Sequence, residues 1–349
     1  MKKAVINGRC IERYVNGIPR YIAEIVKNLD LVRKNGIEIE LVIPKGKELG
    51  FELKNIRVTE LADAPAWDYT KAERYAKKQN ALYINPASKG VWYRNSVTTF
   101  HDIRPLTFGD EKLSLNSLKS KSKFGISFFL GIRRCKALVT VSKSAKNEII
   151  SYSGLRHKKI YVIGNGWEHI TGTDKDDSVF SEFSSIRKGD YYFAVSSIAP
   201  HKNFGWIIRN AALHPEQQFV IVGKTNPSLW TDDTSDFKGN IIYLGYQSDS
   251  RVRTLLENSK ALVFPTKYEG FGIPPLEAAA LKVPAIVSDI DVMHEIYGDI
   301  VHYIDPDDPN TDLDELLKEK LQPSDEILKK YSWRISALKW LKLIDMMCE

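Results

Sequence analysis

Several features that define common protein classes are absent from this sequence. Its 349 residues include only three cysteines, Cys10, Cys135 and Cys348, which lie far apart and form no Cys-x-x-Cys pair. The seven histidines form no His-x-x-x-His pair on a recognisable helix. We therefore expect neither a disulfide framework nor a structural metal site. So little cysteine fits a protein of the reducing cytoplasm.

Long apolar runs are absent as well. The basic start of the chain is followed by an apolar run of only three residues, 4–6, which is too short for a secretory signal peptide. The apolar stretch 124–132 is far shorter than the roughly 18 residues of a membrane span. The sequence predicts a protein that is neither secreted nor membrane-spanning.

Length and charge indicate two domains. A chain of 349 residues exceeds the usual size of one domain, and 43% of it is hydrophobic, enough for two cores. Residues 1–170 contain 31 Lys and Arg against 16 Asp and Glu, whereas residues 171–349 contain 19 against 28. We therefore predict a basic domain over 1–170 that faces an anionic partner, and a second domain over 171–330.

The most basic stretch is 112–136, which has no acidic residue. Its cations are Lys112, Lys119, Lys121, Lys123, Arg133, Arg134 and Lys136. Leucine and phenylalanine are interleaved with them, which is typical of a helix in a membrane interface. An equally good interpretation is a solvated cationic helix whose phenylalanines face the core.

Short β-branched or aromatic runs alternate with longer segments of helical period. The predicted strands are 3–6, 38–43, 81–85, 96–100, 137–141 and 159–163 in the first half, and 191–196, 218–222, 241–244, 261–264 and 285–287 in the second. This alternation predicts an α/β protein with two Rossmann-like units of parallel sheet. Residues 168–190 are predicted to be a linker. The chain after Pro323 is predicted to form one last helix, whose residues 331–349 pack against either domain.

Ligands of open α/β sheets bind in the loops that follow the strands. The first such loop lacks Gly-x-Gly-x-x-Gly, and its Gly17 either opens a helix start that holds a phosphate or serves only the turn. In the second loop we place Lys202 in the first turn of a helix, where its charge opposes the helix dipole. A diphosphate bound there would compensate that charge; the alternative is an exposed lysine.

A third loop, 264–280, carries most of the chemistry. Gly270 and Gly272 allow close approach of a ligand to the main chain, and Pro275 suits the first position of a helix with Glu277 in its first turn. Glu269, just before the glycines, is placed to accept hydroxyl hydrogen bonds, whereas Glu277 alone would be typical of a surface residue satisfying the helix dipole. Two carboxylates around glycines suit a polyhydroxylated anion.

These residues resemble the retaining glycosyltransferases of family 4. Residues 269–277 are similar to the Glu-x7-Glu signature of that family, and residues 199–203 to its Pro-Arg-Lys-Asn loop. Residues 99–102, 16–21 and 162–166 resemble its His-Asp, Gly-Ile-x-Arg-Tyr and Ile-Pro-Asn-Gly motifs in the same order. The resemblance implies the GT-B fold, two facing Rossmann-like domains with a cleft between them. The start of the chain is most similar to members that assemble bacterial surface polysaccharides.

The resemblance also implies roles for individual residues. Glu277 would bind the nucleotide ribose and Glu269 the donor sugar, while Lys202 would neutralise the diphosphate. Backbone contacts to the donor would come from Gly17, Gly270, Phe271 and Gly272. His101 would contact a sugar hydroxyl, with Asp102 orienting it. The chain departs from the family at His201, which replaces an arginine, and at Gly164, which replaces a proline.

The reaction that the resemblance implies moves a sugar from a nucleoside diphosphate to a glycan. Retention of configuration by front-face attack, the need for no metal and no cofactor, and a lipid-linked glycan acceptor on the first domain are implied in the same way. We expect a cytoplasmic protein peripheral to the membrane through 112–136. The alternative is a non-catalytic binder of nucleotide sugars or glycans. Nucleic-acid binding is disfavoured because no recognised motif appears.

Overall fold

The computed structural model of the protein describes residues 2–11, 17–32, 36–108, 115–195, 199–223 and 239–348, the side chains of 115–118 excepted. The chain forms two compact units. The first comprises Met1–Asn165 together with Tyr331–Glu349, and the second comprises Gly166–Lys330. Residues 16, 112–114, 196 and 349, which belong to predicted motifs or elements, lie outside the described part of the chain.

The first unit is built on a parallel sheet. Its strands are β1 (Lys2–Asn7), β2 (Ile37–Pro44), β3 (Arg57–Leu61), β4 (Leu82–Asn85), β5 (Ser96–Thr99), β6 (Ala137–Thr140) and β7 (Ile160–Val162). Their order in the sheet is β3-β2-β1-β4-β5-β6-β7, and every pairing is parallel. All carboxyl ends therefore meet at one edge of the sheet, where ligand-binding loops are expected.

Helices connect these strands. They are α1 (Gly17–Val32), α2 (Arg74–Lys78), α3 (Arg104–Thr107), α4 (Leu115–Arg134) and α5 (Lys143–Ser153), with a π-helical turn at Asp68–Glu73 before α2. Their apolar faces cover the central strands, whose side chains are buried on both faces as parallel sheets require. Trp67, Phe100 and Phe128 are fully buried in this core.

The second unit repeats the architecture. Its strands are β8 (Tyr192–Val195), β9 (Phe219–Val222), β10 (Ile241–Tyr243), β11 (Ala261–Phe264), β12 (Ala285–Ser288) and β13 (His302–Ile304), in the order β10-β9-β8-β11-β12-β13. Its helices are α6 (Glu168–Thr171), α7 (Ser178–Glu182), α8 (Phe204–Leu213), α9 (Asp249–Glu257), α10 (Ile273–Ala280), α11 (Asp291–Tyr297), α12 (Leu313–Leu316) and α13 (Asp325–Lys330). Both sheets are parallel, so the predicted α/β class is confirmed.

The final helix, α14 (Trp333–Met347), belongs to the first unit. It packs on α1, where Trp340 donates its indole N–H to the Tyr21 hydroxyl at 2.8 Å. Ser336 donates to the carbonyl of Gly164 at 2.7 Å, which ties the helix to the end of the segment after β7. The chain thus returns to its first unit after completing the second.

The segment 168–190 is not the linker that its composition predicted. It contains α6 and α7, and both belong to the second unit. Arg251 on α9 holds the segment, since its guanidinium lies 3.0 Å from the carboxylate of Asp176 and 2.7 Å from that of Glu182. Polar residues attach this segment to neighbouring elements, whereas its composition alone predicted a solvent-exposed linker.

Candidate active site

The loop after β8 places Lys202 at the carboxyl edge of the second sheet. Lys202 ends a short 3-10 turn, Pro200–Lys202, and Asn203 adopts a left-handed conformation (φ 56°) before α8 begins at Phe204. The prediction that Lys202 occupies the first turn of this helix is therefore wrong, because the turn lies ahead of the helix. Asn203 fixes the turn by donating to the carbonyls of Pro265 and Pro306 at 3.0 and 2.7 Å.

The same turn is bonded to the loop after β11. The carbonyl of His201 accepts hydrogen bonds from the Lys267 amide at 2.7 Å and from the Thr266 hydroxyl at 2.9 Å. Thr266 is fully buried, so these bonds are shielded from water. The two loops that the sequence singled out separately are therefore one rigid structure.

Lys202 and Glu269 meet in this structure. The ammonium donates to the carboxylate of Glu269, and both side chains are largely buried, with 19% and 12% of their surface exposed. Lys202 also lies over the ring of Phe264, 5.5 Å from its centroid. The anion that we expected beside Lys202 is, in the unliganded chain, a carboxylate of the chain itself. A pair that excludes most water interacts strongly with any further charge brought to it.

Gly272 sets the start of α10. It adopts a left-handed conformation (φ 83°) as the helix N-cap, and its carbonyl accepts a hydrogen bond from the buried hydroxyl of Tyr297. A Cβ at this position would lie 2.8 Å from Cε of Met293, so glycine is required for both reasons. Because α10 begins at Ile273, the prediction that Pro275 is its first residue is wrong.

The earlier start moves Glu277 out of the first turn, where we had expected it. Its carboxylate accepts a hydrogen bond from Nε2 of His169 on α6 at 2.6 Å, and both side chains are buried, with 10% and 4% exposed. Glu277 is thus no surface residue that satisfies a helix dipole. Sequence reasoning missed His169, since it lies 108 residues away in a segment without a recognisable period.

The remaining predicted residues of this loop lie beside the two glutamates. Gly270 is buried, and the ring of Phe271 is only 2% exposed, so Phe271 offers a ligand its backbone and not its ring. Five predicted residues, from Glu269 to Gly272 together with Glu277, therefore lie on one continuous segment, with Lys202 bonded to its first member.

His101 follows β5 at the carboxyl edge of the first sheet. Its Nε2 lies 2.9 Å from the carbonyl of Pro86, and since a carbonyl only accepts, Nε2 carries the proton. The Tyr21 ring packs edge-on against the imidazole at 4.7 Å. Burial behind these groups lowers the pKa of His101 to about 4, although the Pro86 carbonyl opposes the shift. The imidazole is therefore neutral at physiological pH.

Asp102 and Gly17 also lie in the first unit. The carboxylate of Asp102 accepts a hydrogen bond from the Arg104 amide at 3.1 Å, which fixes the start of α3. The Pro86 carbonyl and the Tyr21 ring contact the His101 ring, and the orienting role of Asp102 stays a prediction. Gly17 is the first residue of α1 and is exposed, and no described residue lies within 4 Å of where its Cβ would stand. No steric reason for glycine is visible at this position.

A second polar cluster lies at the same edge as His101 and was not predicted. Asp68, in the π-helical turn, is 4% exposed and accepts a hydrogen bond from Asn7 at 2.8 Å. Lys89 lies 3.0 Å and Arg9 lies 3.6 Å from its other carboxylate oxygen, and both cationic side chains are partly exposed. One buried carboxylate thus holds two cations in place beside solvent, so the cluster of Asp68, Arg9 and Lys89 has a net positive charge.

The burial of the phenylalanines on helix α4 distinguishes between the two interpretations of the basic stretch. Phe128 is fully buried, and Phe124 and Phe129 pack partly buried against the core. Lys119, Lys121 and Lys123 are exposed, as is Ile126. The phenylalanines therefore face the core, as in a solvated cationic helix, and the charged face remains available.

The described residues contain neither a cluster of metal-binding side chains nor a helix that could span a membrane. Within the described ranges, no three histidine, cysteine or carboxylate side chains come together in a way that could hold a metal ion. No helix among the described residues has the length and hydropathy that crossing a membrane requires.

Comparison with known proteins gives the family. Residues 177–332 match the family model described as glycosyl transferases group 1, and residues 15–169 match the model described as glycosyltransferase family 4. The O-antigen chain mannosyltransferase RfbU of Salmonella typhimurium is 32% identical over 220 residues, which is 62% of this chain and 58% of that protein. The O-antigen chain mannosyltransferase B of Escherichia coli is 26% identical over 332 residues, 84% of each.

Solved structures agree with the architecture. Anabaena HepE, in complex with UDP and glucose, is similar over 99% of this chain and 100% of its own, with a TM-score of 0.70 and 13% identity. Identity at that level speaks for the fold alone. Two family models that cover most of the chain, together with two parallel sheets of the expected kind, place it among the glycosyltransferases of group 1 and family 4, which have the GT-B fold.

Proposed function

We propose that this chain transfers a hexosyl residue, of which mannose is the first candidate, from a nucleoside diphosphate to a growing bacterial surface glycan. The observation that carries the proposal is the largely buried ion pair between Lys202, on the loop after β8, and Glu269, on the loop that leads into α10 and Glu277. Two relatives are described as O-antigen chain mannosyltransferases, which supports the choice of sugar and of glycan.

Donor binding follows from the pairing of Lys202. A diphosphate carries more charge than one carboxylate, so the ammonium moves to the phosphate oxygens when the donor enters. Glu269 then has free carboxylate oxygens for sugar hydroxyls. Glu277, held by His169 in a fixed orientation, accepts the ribose hydroxyls. Backbone groups of Gly17, Gly270, Phe271 and Gly272 complete the donor contacts.

His101 acts as a hydrogen-bonding group and not as a base. Its Nε2–H is directed to Pro86, which leaves Nδ1 to accept a sugar hydroxyl. A group with a pKa of about 4 is a weak proton acceptor at neutral pH. The neutral ring holds a sugar hydroxyl in position near the developing oxocarbenium ion and adds no positive charge that would repel it.

The reaction proceeds with retention through front-face attack. The bond between the anomeric carbon and the phosphate oxygen breaks, the acceptor oxygen bonds to the same face, and its proton passes to the leaving phosphate. Lys202 stabilises the developing charge of the diphosphate. This lysine supports a reaction without a divalent metal or other cofactor.

The acceptor binds the first unit. Arg9 and Lys89, held by Asp68 at the carboxyl edge of the sheet, offer two cations to the diphosphate of a lipid-linked glycan. The exposed Lys119, Lys121 and Lys123 of α4 attract anionic lipid at the cytoplasmic face of the membrane. The protein is thus peripheral to that membrane.

Activity is tested by incubating the purified chain with GDP-mannose, UDP-glucose and dTDP sugars and with lipid-linked glycan, followed by mass spectrometry of the lipid product. We expect the glycan to gain one hexose and the corresponding nucleoside diphosphate to be released, with and without EDTA. The anomeric configuration of the product, read by NMR, is expected to match that of the donor. A binding protein of the same fold would bind the nucleotide sugar and release no diphosphate.

Membrane contact is tested separately by flotation with vesicles of phosphatidylcholine and phosphatidylglycerol. A variant with serine at the three α4 lysines is expected to float less than wild type. Serine at Lys318, Lys320 and Lys329, exposed in the second unit, removes the same charge elsewhere and is expected to leave flotation unchanged. Equal flotation of all three proteins would show that the α4 lysines do not bind the membrane.

A further inference from the structure

The first unit contains a cavity that the proposed reaction does not use. It has a volume of about 640 Å³ and lies where strands of the first sheet begin. Lys2 and Lys3 begin β1 and Leu82 begins β4, while Asn95 immediately precedes β5 and Lys136 immediately precedes β6. In a parallel sheet the strands begin at the edge opposite to their carboxyl ends. The cavity is therefore at the far edge of the sheet from His101 and Asp68.

The lining of this cavity is cationic. Lys2, Lys3, Arg94, Arg134 and Lys136 line it, and among the described residues no acidic side chain does. Two of these charges are balanced by carboxylates that do not line the cavity. Lys2 lies 2.7 Å from the carboxylate of Asp345, and Lys3 lies 3.2 Å from that of Glu40.

The other three cations have no carboxylate partner of this kind among the described residues. Arg94 is exposed, Arg134 packs its guanidinium 4.9 Å from the ring centroid of Trp92, and Lys136 donates to the carbonyl of Met347 at 2.9 Å. Over the described residues, none of these three forms an ion pair with a carboxylate. Glu73, which does not line the cavity, attracts Arg134 electrostatically but is too far away for an ion pair. Three cations around one cavity repel one another, and an anion between them reduces that repulsion.

The neutral lining indicates which anion fits. Asn80 and Asn95 add amide groups, and Tyr93 adds an aromatic wall beside the half-exposed Trp92. Guanidinium, ammonium and amide donors together match the oxygens of a phosphate. The volume lies within the roughly 300–1,000 Å³ of small-molecule sites, so the space exceeds what a bare phosphate fills.

We propose that this cavity binds a phosphate ester, with the phosphate between Arg94, Arg134 and Lys136 and its organic part against Tyr93. The ester is either a soluble phosphorylated metabolite or the headgroup of a phospholipid, and the recognising chemistry is the same for both. Since Lys136 and Met347 join the sheet to the end of α14, occupancy also stabilises the packing of that helix. This site is independent of the donor site and of the proposed reaction.

The test uses the full chain carrying Lys202→Ala, which removes the main cation of the donor site. Inorganic phosphate and glycerol 3-phosphate are titrated by calorimetry into this protein and into versions that also carry R94S/R134S or R133S/R156S. Arg133 and Arg156 are exposed arginines of the same unit that do not line the cavity, and Arg133 lies over Phe129 much as Arg134 lies over Trp92. Both double variants therefore remove the same charge.

We expect R94S/R134S to weaken the binding of both probes by about tenfold or more, because hydrogen bonds to charged groups are lost. R133S/R156S is expected to bind as its parent does. Because the two cavity arginines are exposed, the variants should fold, and single R94S provides a milder version of the same test. Absence of binding to the parent, or equal binding by both double variants, would overturn the proposal.

The two sources of the ester are separated with vesicles. If vesicles of phosphatidylcholine and phosphatidylglycerol bind the parent more tightly than R94S/R134S, and glycerol 3-phosphate displaces them, the cavity takes a lipid headgroup. If the vesicles bind both proteins equally while glycerol 3-phosphate still distinguishes them, the cavity takes a soluble ester. Either result supports phosphate recognition, and neither depends on sugar transfer.

Discussion

At the scale of single residues, the site depends on side chains whose partners lie far away in the sequence. Lys202 and Glu269 are 67 residues apart, and His169 and Glu277 are 108 apart. The motif containing the two glutamates was visible in the sequence because its members are close in number. His169 gave no such signal, since only the packing of α6 against α10 brings it to Glu277.

Replacing His169 by alanine should affect donor binding more than chemistry. The change leaves the buried Glu277 carboxylate without this donor and free to rotate, and a lost hydrogen bond to a charged group costs roughly 1.5–3 kcal/mol. We expect the KM for the nucleotide sugar to rise about tenfold with kcat little changed. Steady-state kinetics measures both constants.

His169→Gln keeps an N–H donor and should recover part of the lost affinity. His214→Ala is the control, because it removes a partly buried histidine that lies 3.6 Å from Glu216 in the same unit. A fall in kcat with an unchanged KM would assign His169 a role in chemistry and would contradict its role in positioning Glu277.

The second residue-scale prediction concerns the protonation of His101. Because burial disfavours the imidazolium, we expect an NMR titration of its ring to show a midpoint near pH 4, below the ordinary value of 6.5. The folded protein then excludes a proton that the unfolded chain binds. The stability due to the neutral ring is complete above pH 6.5 and is lost as the pH falls from 6.5 toward 4. A midpoint near 6.5 would show that the ring is solvated.

At the scale of elements, the sequence predicted the central strands but missed one exposed edge strand and one very short strand. Strands such as β9 and β11 are continuous apolar runs, which identify buried parallel strands. The sequence missed β3, an edge strand whose residues are partly or fully exposed, and β13, which has only three residues. An edge strand needs no apolar run, because one side of it lacks a neighbour.

Helix boundaries show the same limit. The start of α10 at Ile273 depends on the positive φ of Gly272 and on the hydrogen bond from Tyr297, both set by tertiary packing. Two prolines follow one another at residues 274 and 275, and the sequence alone favoured the second as the helix start. In the segment 168–190, polar composition concealed two short helices that are held by contacts with other elements of the unit, among them α9 and α10.

A prediction at this scale concerns the three strands joined by Glu40. Its carboxylate is fully buried and receives hydrogen bonds or ion pairs from Thr59, Arg57, Tyr75 and Lys3. Burial alone would raise its pKa, but these donors together lower the pKa of Glu40 to about 2. Glu40→Gln should reduce the free energy of unfolding by about 3 kcal/mol, because the largely buried Lys3 loses its buried carboxylate partner and keeps only the more exposed Glu38.

Denaturation of both proteins in guanidinium chloride, followed by tryptophan fluorescence, measures the loss. Glu38→Gln, two residues earlier on β2 with its side chain 37% exposed, should change stability far less. The Glu40 contribution is complete above its ordinary pKa of 4.5 and declines as the pH falls toward 2, so the two variants should converge in acid. Equal losses in both variants at neutral pH would contradict the account.

At the scale of the whole molecule, charge divides as the two units do. The first 170 residues carry the basic surplus, and the structure assigns parts of it to the α4 surface, to the Arg9–Lys89 pair and to the cavity where the strands begin. The acidic second half contains the loops proposed to bind the donor. Composition predicted this division, but it did not reveal that the first unit has separate cationic regions at opposite edges of one sheet.

The most direct test of the account is the affinity of the unmodified chain for a nucleoside diphosphate, compared by calorimetry with that of Lys202→Ala and of Lys267→Ala. Lys267 lies in the same loop structure but pairs with the exposed Asp307 at 2.6 Å. We predict that Lys202→Ala weakens binding of the preferred diphosphate by about tenfold or more, because a charge-assisted hydrogen bond to phosphate is lost. Lys267→Ala should bind as the unmodified chain does. Equal affinity of all three proteins would contradict the proposed donor site.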